Sequence, residues 1–186
     1  MTSHTPLLTL EAGPAHVELI IADITTLDVD AIVNAANRAL APGGGVCGAI
    51  FRAAGPELIG SCESLGGCDT GDVRITPGFR LKARHVIHAV GPVWQGGGRD
   101  EDALLASCYR RALEVAADNR LTGIAFPAIS TGIYGFPQDR AARIAAGTVV
   151  SELSANPRGI SRVILCCFDA QSAQHHIEAF AGMGLA

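Results

Sequence analysis

At 186 residues, 48% hydrophobic and 17% charged, the chain is long enough to bury one sizeable core and too apolar to remain disordered. A net charge of −4 and a single lysine, Lys82, leave no basic tract for a nucleic-acid backbone, so bulk nucleic-acid binding is not expected. No apolar run reaches the length of a membrane span, so no membrane partner is expected.

The first residues lack the basic flank and apolar segment of a signal peptide, so the expectation is a cytoplasmic protein. Six cysteines then read as thiols, not bridges. Their spacing suggests no metal: there is no C-x-x-C, and Cys62 and Cys68 have no histidine close by in sequence. Cys166 and Cys167 are neighbours in a strand and point to opposite faces. No cofactor is expected, and the chain is expected to act as a monomer.

In chain order, residues 1–6 are polar and should fray. A short strand at 7–10 meets a turn at Gly13-Pro14, and 16–22 (HVELIIA) is a strand ending at Asp23-Ile24-Thr25. Asp28 and Asp30 flank a turn before the next strand, 31–36. Helices follow at 45–54 and 56–65, the second ended by Gly66-Gly67. Residues 71–77 alternate polar and apolar as a sheet edge does, and 85–90 (HVIHAV) is a strongly apolar strand. His85 and His88 read there as satisfied strand histidines. A loop at 91–98 holds the only tryptophan, Trp94.

The helix at 100–119 places Leu104, Leu105, Cys108, Ala112 and Val115 on one face. Residues 124–127 form a buried strand. The helix at 137–153 has Pro137 in its first turn, where proline fits. A last strand at 162–168 and a last helix at 172–180 complete the chain. Strands that read as continuous apolar runs and alternate with helices predict an α/β fold, with a mostly parallel sheet covered on both sides. The first strands follow one another directly, so the sheet should be mixed. No repeat or interdomain linker divides residues 1–186, which read as one domain.

The most informative stretch is 32–55, IVNAANRALAPGGGVCGAIFRAAG. A buried strand gives two asparagines, Asn34 and Asn37, then a short loop, three glycines and a helix. Glycines admit a ligand close to the backbone, and the free N–H groups of the helix start favour an anion. Together they predict a phosphate site. A second loop, 127–136 (PAISTGIYGF), repeats glycines and small hydroxyls after a strand and before a helix. Two such cradles could grip a diphosphate from both sides. Phe168, at a strand end, could stack on a base, and Asp23 could accept from an exocyclic amine. Taken singly, each of these also reads as an ordinary turn, cap or core residue; their conjunction carries the prediction.

The glycines match G-x-G-x-x-G literally at Gly43, Gly45 and Gly48. A nicotinamide-cofactor fold would place them in the tight turn directly after the strand, whereas residues 37–42 intervene. A nucleoside-triphosphate loop fails for want of G-K-[ST].

The motifs V-N-A-A-N at 33–37, G-G-G-V-C-G-A-I at 43–50, A-A-G-P at 53–56, G-P-V-W at 91–94 and F-P-A-I-S-T-G at 126–132 resemble a macrodomain of the MacroD type, along nearly the whole chain. The resemblance implies a three-layer α/β/α fold around a six-stranded mixed sheet. It also implies ADP-ribose in a cleft over the strand ends, and hydrolysis of O-acyl-ADP-ribose and of ADP-ribose attached to acidic side chains. The partners would then be ADP-ribose and ADP-ribosylated proteins.

By position, Asp23 matches the adenine-reading acid and Ile24 the backbone beside it. Asn34 matches by motif, though a buried amide at a strand end also reads as structural, and Asn37 matches the amide that meets the distal ribose. Gly44, Gly45 and Val46 match the first diphosphate loop; Ser130, Thr131, Gly132, Ile133 and Tyr134 match the second; Phe168 matches the aromatic near adenine. One departure bears on catalysis. The family's aspartate, its proposed base or water-orienting group, is Cys47 here, and Pro42 stands where glycine is usual. A thiol at a helix N-terminus tends to have a lowered pKa, which would suit a nucleophile; the competing expectation is a thiol that only fills space. The otherwise intact motif therefore reads as a hydrolase with weak or altered catalysis, and the Cys47 departure keeps a non-catalytic ADP-ribose reader as the alternative.

Overall fold

The computed structural model describes residues 4–186, so the fraying expected of residues 1–3 falls outside it. The order of elements is β1 (Leu8–Ala12), β2 (Ala15–Ile21), a 3-10 turn (Ile24–Thr26), β3 (Ala31–Ala35), α1 (Gly45–Ala54), α2 (Glu57–Glu63), β4 (Val73–Pro77), β5 (His85–Ala89), α3 (Glu101–Asp118), β6 (Gly123–Phe126), α4 (Gln138–Ala155), β7 (Arg162–Cys167) and α5 (Ala170–Gly182).

The strands form one sheet of seven in the order β1-β2-β7-β6-β3-β5-β4. The inner five are mutually parallel, while β1 on β2 and β4 on β5 are antiparallel. The resemblance implies six strands; the seventh is β1. A two-residue turn, with Gly13 at φ 59, folds it back on β2, and so short a connection permits only an antiparallel hairpin. The polar alternation of β4 matches its place at the other edge.

Side chains alternate between two cores. Ala31 and Val33 join Leu105, Tyr109, Ala145 and Phe180 beneath α3, α4 and α5. Ile32 joins Ile50, Phe51 and Leu58 beneath α1 and α2. Cys167 belongs to the first core and Cys166 to the second, as neighbouring strand residues must. Burial of both faces is what the unbroken apolar runs required.

The topology creates one crevice. The chain leaves β3 toward β5 but leaves the adjacent β6 toward β7. Adjacent parallel strands whose connections part in this way leave an opening over their carboxyl ends. At the amino ends, Asp30 ties the same strands together. Its carboxylate accepts from the N–H groups of Thr122 (2.8 Å) and Gly123 (3.0 Å) and from Arg84.

Candidate functional site

Because the inner strands are parallel, the loops after all five open at one edge of the sheet. In spatial order they are Asp23 after β2, Phe168 after β7, loop 127–136 after β6, loop 36–44 after β3, and loop 90–98 after β5. The sequence-predicted residues are thus gathered from four strand ends.

Loop 36–44 is shaped by Asn37. Its Oδ1 accepts from the N–H of Ala41 (3.0 Å) and its Nδ2 donates to the Ala41 carbonyl (2.9 Å). An amide nitrogen has a second hydrogen and its oxygen a second lone pair, so a ligand can still be met. Gly43, Gly44 and Gly45 follow, all exposed, and Gly45 sits at φ 56, where a side chain would be strained. The first helical bond of α1 runs from the Gly48 N–H to the Gly44 carbonyl, so the N–H groups before it have no intrahelical partner. Val46 packs partly into the core at this turn.

Loop 127–136 is closed by a bond from the Phe136 N–H to the Ser130 carbonyl (3.0 Å), by one from the Gly135 N–H to Gly132 (3.0 Å), and by the Thr131 hydroxyl on the Ala128 carbonyl (3.1 Å). Ser130 adopts a left-handed φ of 66 and buries its hydroxyl. Ile133 projects outward, 89% exposed. A Cβ placed on Gly44 would lie 3.6 Å from Ile133 Cδ1, so the two glycine loops meet across the β3/β6 crevice. On its other side the second loop is held by the Trp94 N–H, which donates to the Tyr134 carbonyl (2.8 Å).

At the far end of the edge, β2 and β7 remain joined by the Ala22 N–H on the Cys167 carbonyl (3.1 Å), which brings Asp23 beside Phe168. Phe168 is 87% exposed, not part of the core. Asp23 caps the 3-10 turn, but both bonds, from the Thr25 N–H (2.9 Å) and hydroxyl (2.7 Å), fall on Oδ1 and leave Oδ2 open. The Ile24 side chain is buried, so only its main chain can serve a ligand.

Two predicted residues lie beneath the surface. Asn34 is fully buried, its Nδ2 3.1 Å from His88 Nδ1 and 3.7 Å from Cys47 Sγ. Cys47 is also buried, its Sγ 3.7 Å from the Ala41 carbonyl. Burial pushes the Cys47 thiol pKa up, and the hydrogen bonds from Asn34 and Gly43 only partly oppose it. The lowered pKa expected at a helix start is therefore not found: loss of water outweighs these hydrogen bonds. His88 is satisfied as expected, but the buried Nδ1 of His85 has no partner.

Sequence reasoning missed the support of this edge. Glu101, the first residue of α3, is buried and gathers the N–H groups of Gln95 (2.9 Å), Gly97 (3.1 Å) and Arg99 (2.6 Å). Burial raises the Glu101 carboxyl, but these N–H groups outweigh it and hold the pKa down at about 2. The available sequence signal was an acidic cluster, Asp100 to Asp102, soon after the glycines at 96–98. A hollow of about 750 Å³ lies elsewhere, open between Arg38, Glu63, Asp69 and Arg74. Its ion pair, Arg38 with Asp69, is exposed, and none of the strand ends after β2, β6 or β7 contributes to it.

The family model described as Macro domain matches residues 33–145. The macro domain-containing protein mll7730 of Mesorhizobium japonicum is 57% identical over 170 residues, covering 90% of this chain and 95% of its own. The ADP-ribose glycohydrolase MACROD2 of Homo sapiens is 51% identical over 155 residues, covering 82% of this chain but 36% of its own. Among solved structures, the Oceanobacillus iheyensis macrodomain with ADP superposes with a TM-score of 0.91 at 38% identity, covering 95% of each chain. The fold is thus shared along almost the full chain, and the protein belongs to the macrodomain family, MacroD type.

Proposed function

We propose that this protein binds ADP-ribose across the carboxyl edge of its sheet and hydrolyses ADP-ribosyl esters, both O-acetyl-ADP-ribose and mono-ADP-ribose on acidic side chains of proteins. The observation that carries the reading is the meeting of two glycine loops at the crevice, Gly44 against Ile133, with Asp23 and Phe168 at the next strand ends. A diphosphate fits between the N–H groups of Gly44, Gly45 and Val46 and the backbone of residues 130–134. Adenine then falls toward Phe168, a free ring face, and its amino group toward the open Oδ2 of Asp23. The distal ribose falls toward Asn37. The ADP bound by the Oceanobacillus iheyensis relative and the name of the human one support the ligand and the reaction class. Six free, buried cysteines suit a reducing compartment such as the cytoplasm.

A second reading, a reader that binds without turnover, is favoured by Cys47. A buried thiol with a raised pKa is a poor base and a poor nucleophile. In the hydrolase, the substrate's own phosphate and a bound water would carry much of the reaction, with Asn37 aligning the ribose.

Purified protein incubated with mono-ADP-ribosylated protein and with O-acetyl-ADP-ribose separates the two. A positioned general base contributes roughly 10²–10⁴ in rate, so Cys47→Asp should raise turnover within that range while ADP-ribose affinity changes little. Cys47→Ala should match the parent. Loss of activity on Cys47→Ala would make the thiol a participant. Absence of turnover by all three forms, with ADP-ribose still bound, would establish the reader.

A further inference from the structure

Asn34 and His88 face each other in register on the adjacent parallel strands β3 and β5, and both are 0% exposed. Asn34 Nδ2 lies 3.1 Å from His88 Nδ1. On the far side of the ring, Nε2 lies 3.0 Å from Thr76 Oγ1 and 3.6 Å from Cys62 Sγ. In this amide orientation the nitrogen carries hydrogens and no lone pair able to accept, so Nδ1 is bare. The ring proton then sits on Nε2 and is donated to the Thr76 hydroxyl. With one Asn34 hydrogen committed to His88, the second lies toward Cys47, whose Sγ is 3.7 Å away.

We propose that His88 is a positioning residue: its unprotonated Nδ1 locks the Asn34 amide with an N–H directed at position 47, which presets that position to hold an acceptor atom. In this chain the acceptor is a sulfur, held weakly. A carboxylate there would receive a shorter, charge-assisted bond and be fixed in orientation. Burial keeps the ring neutral by lowering its pKa to about 4, so the arrangement persists at neutral pH. The reverse amide orientation would need the proton on Nδ1 and would present a carbonyl oxygen to position 47, which suits a thiol donor and repels a carboxylate.

Two measurements test this, and the first is independent of any activity. Two-bond ¹H–¹⁵N correlation spectra of the folded parent at neutral pH should show His88 as the Nε2–H tautomer; the Nδ1–H tautomer overturns the proposal. The second rests on the hydrolase reading and uses Cys47→Asp as background. His88→Asn keeps an acceptor where Nδ1 was, whereas His88→Gln places its amide near Nε2 and frees Asn34. The first double variant should keep kcat within a few-fold of Cys47→Asp. The second should lose about tenfold or more, the worth of one hydrogen bond to a charged group, with KM and ADP-ribose affinity unchanged. Equal losses in both would reduce His88 to a packing role. If neither the parent nor Cys47→Asp turns over either ester while both bind ADP-ribose, the hydrolase reading fails, and the tautomer alone decides the placement.

Discussion

The two oxygens of Asp23 are in different situations. Oδ1 caps the 3-10 turn, and Oδ2 is open at the edge beside Phe168. The two can be tested separately. Asp23→Asn keeps an oxygen for the cap but removes the charge, whereas Asp23→Ala removes both. A hydrogen bond to a charged group is worth about 1.5–3 kcal/mol, so both variants should bind ADP-ribose roughly 10- to 100-fold more weakly by calorimetry. Only the alanine variant should also melt earlier, by the worth of a cap. Unchanged affinity in both would remove Asp23 from the adenine position. At this scale the sequence placed residues on loops well, because strand ends and glycines are local signals. Depth was legible in part: Asn34, inside a buried strand, reads as a structural amide as well as a ligand contact, and it is sealed under the loop on which Asn37 is half-exposed. Which face of β3 the Asn34 side chain takes, and what covers it, depend on α1 folding back over the sheet.

The second loop can be disturbed at two glycines for opposite reasons. A Cβ on Gly132 meets nothing within 4 Å, so Gly132→Glu should fold and melt like the parent, yet its bulk and charge should abolish ADP-ribose binding. A Cβ on Gly91 would come within 2.1 Å of Ser130 Oγ and 2.7 Å of Ile129 Cγ2. Gly91→Ala should therefore push the loop aside, costing about 1–3 kcal/mol of stability in thermal melts and weakening binding with it. Normal binding by Gly132→Glu would place the diphosphate elsewhere. Element boundaries were legible where the pattern is local: α1 runs Gly45–Ala54 and β4 occupies an edge. The Glu101 clamp on loop 95–99 was not, because no periodicity marks a carboxylate that binds backbone N–H groups.

Across the whole molecule, the carboxyl edge with its glycine loops and the Asp30 clasp lie at opposite ends of the same strands. The mostly parallel sheet was legible from unbroken apolar strands, while strand order was not, since it depends on which helix packs where. Burial alone would raise the Asp30 carboxyl; the Thr122 and Gly123 N–H groups and Arg84 outweigh it and hold the pKa at about 2. A carboxyl lowered on folding stabilises fully above its unfolded value near 4, and that contribution fades as pH falls toward 2. The side chain is only 23% exposed, so the stake is about 2 kcal/mol. Denaturant melts of Asp30→Asn should show a loss at pH 7 that narrows steadily between pH 4 and pH 2. A loss that is the same at pH 7 and pH 2 would mean that the clasp works by shape, not charge.

Trp94 is the only tryptophan, and its surroundings tie it to the second loop. Its indole packs 4.8 Å from the Phe136 ring, lies under Arg140 at 5.2 Å, and its main chain holds Tyr134. The protein thus carries its own optical probe. Any ligand that draws the second loop inward must move Tyr134 and Phe136 against the indole, so ultraviolet-excited emission at a single wavelength should titrate with ADP-ribose. In Gly132→Glu the same titration should be flat. An emission unchanged at saturating ADP-ribose would show that loop 127–136 is already set in its bound shape before the ligand arrives.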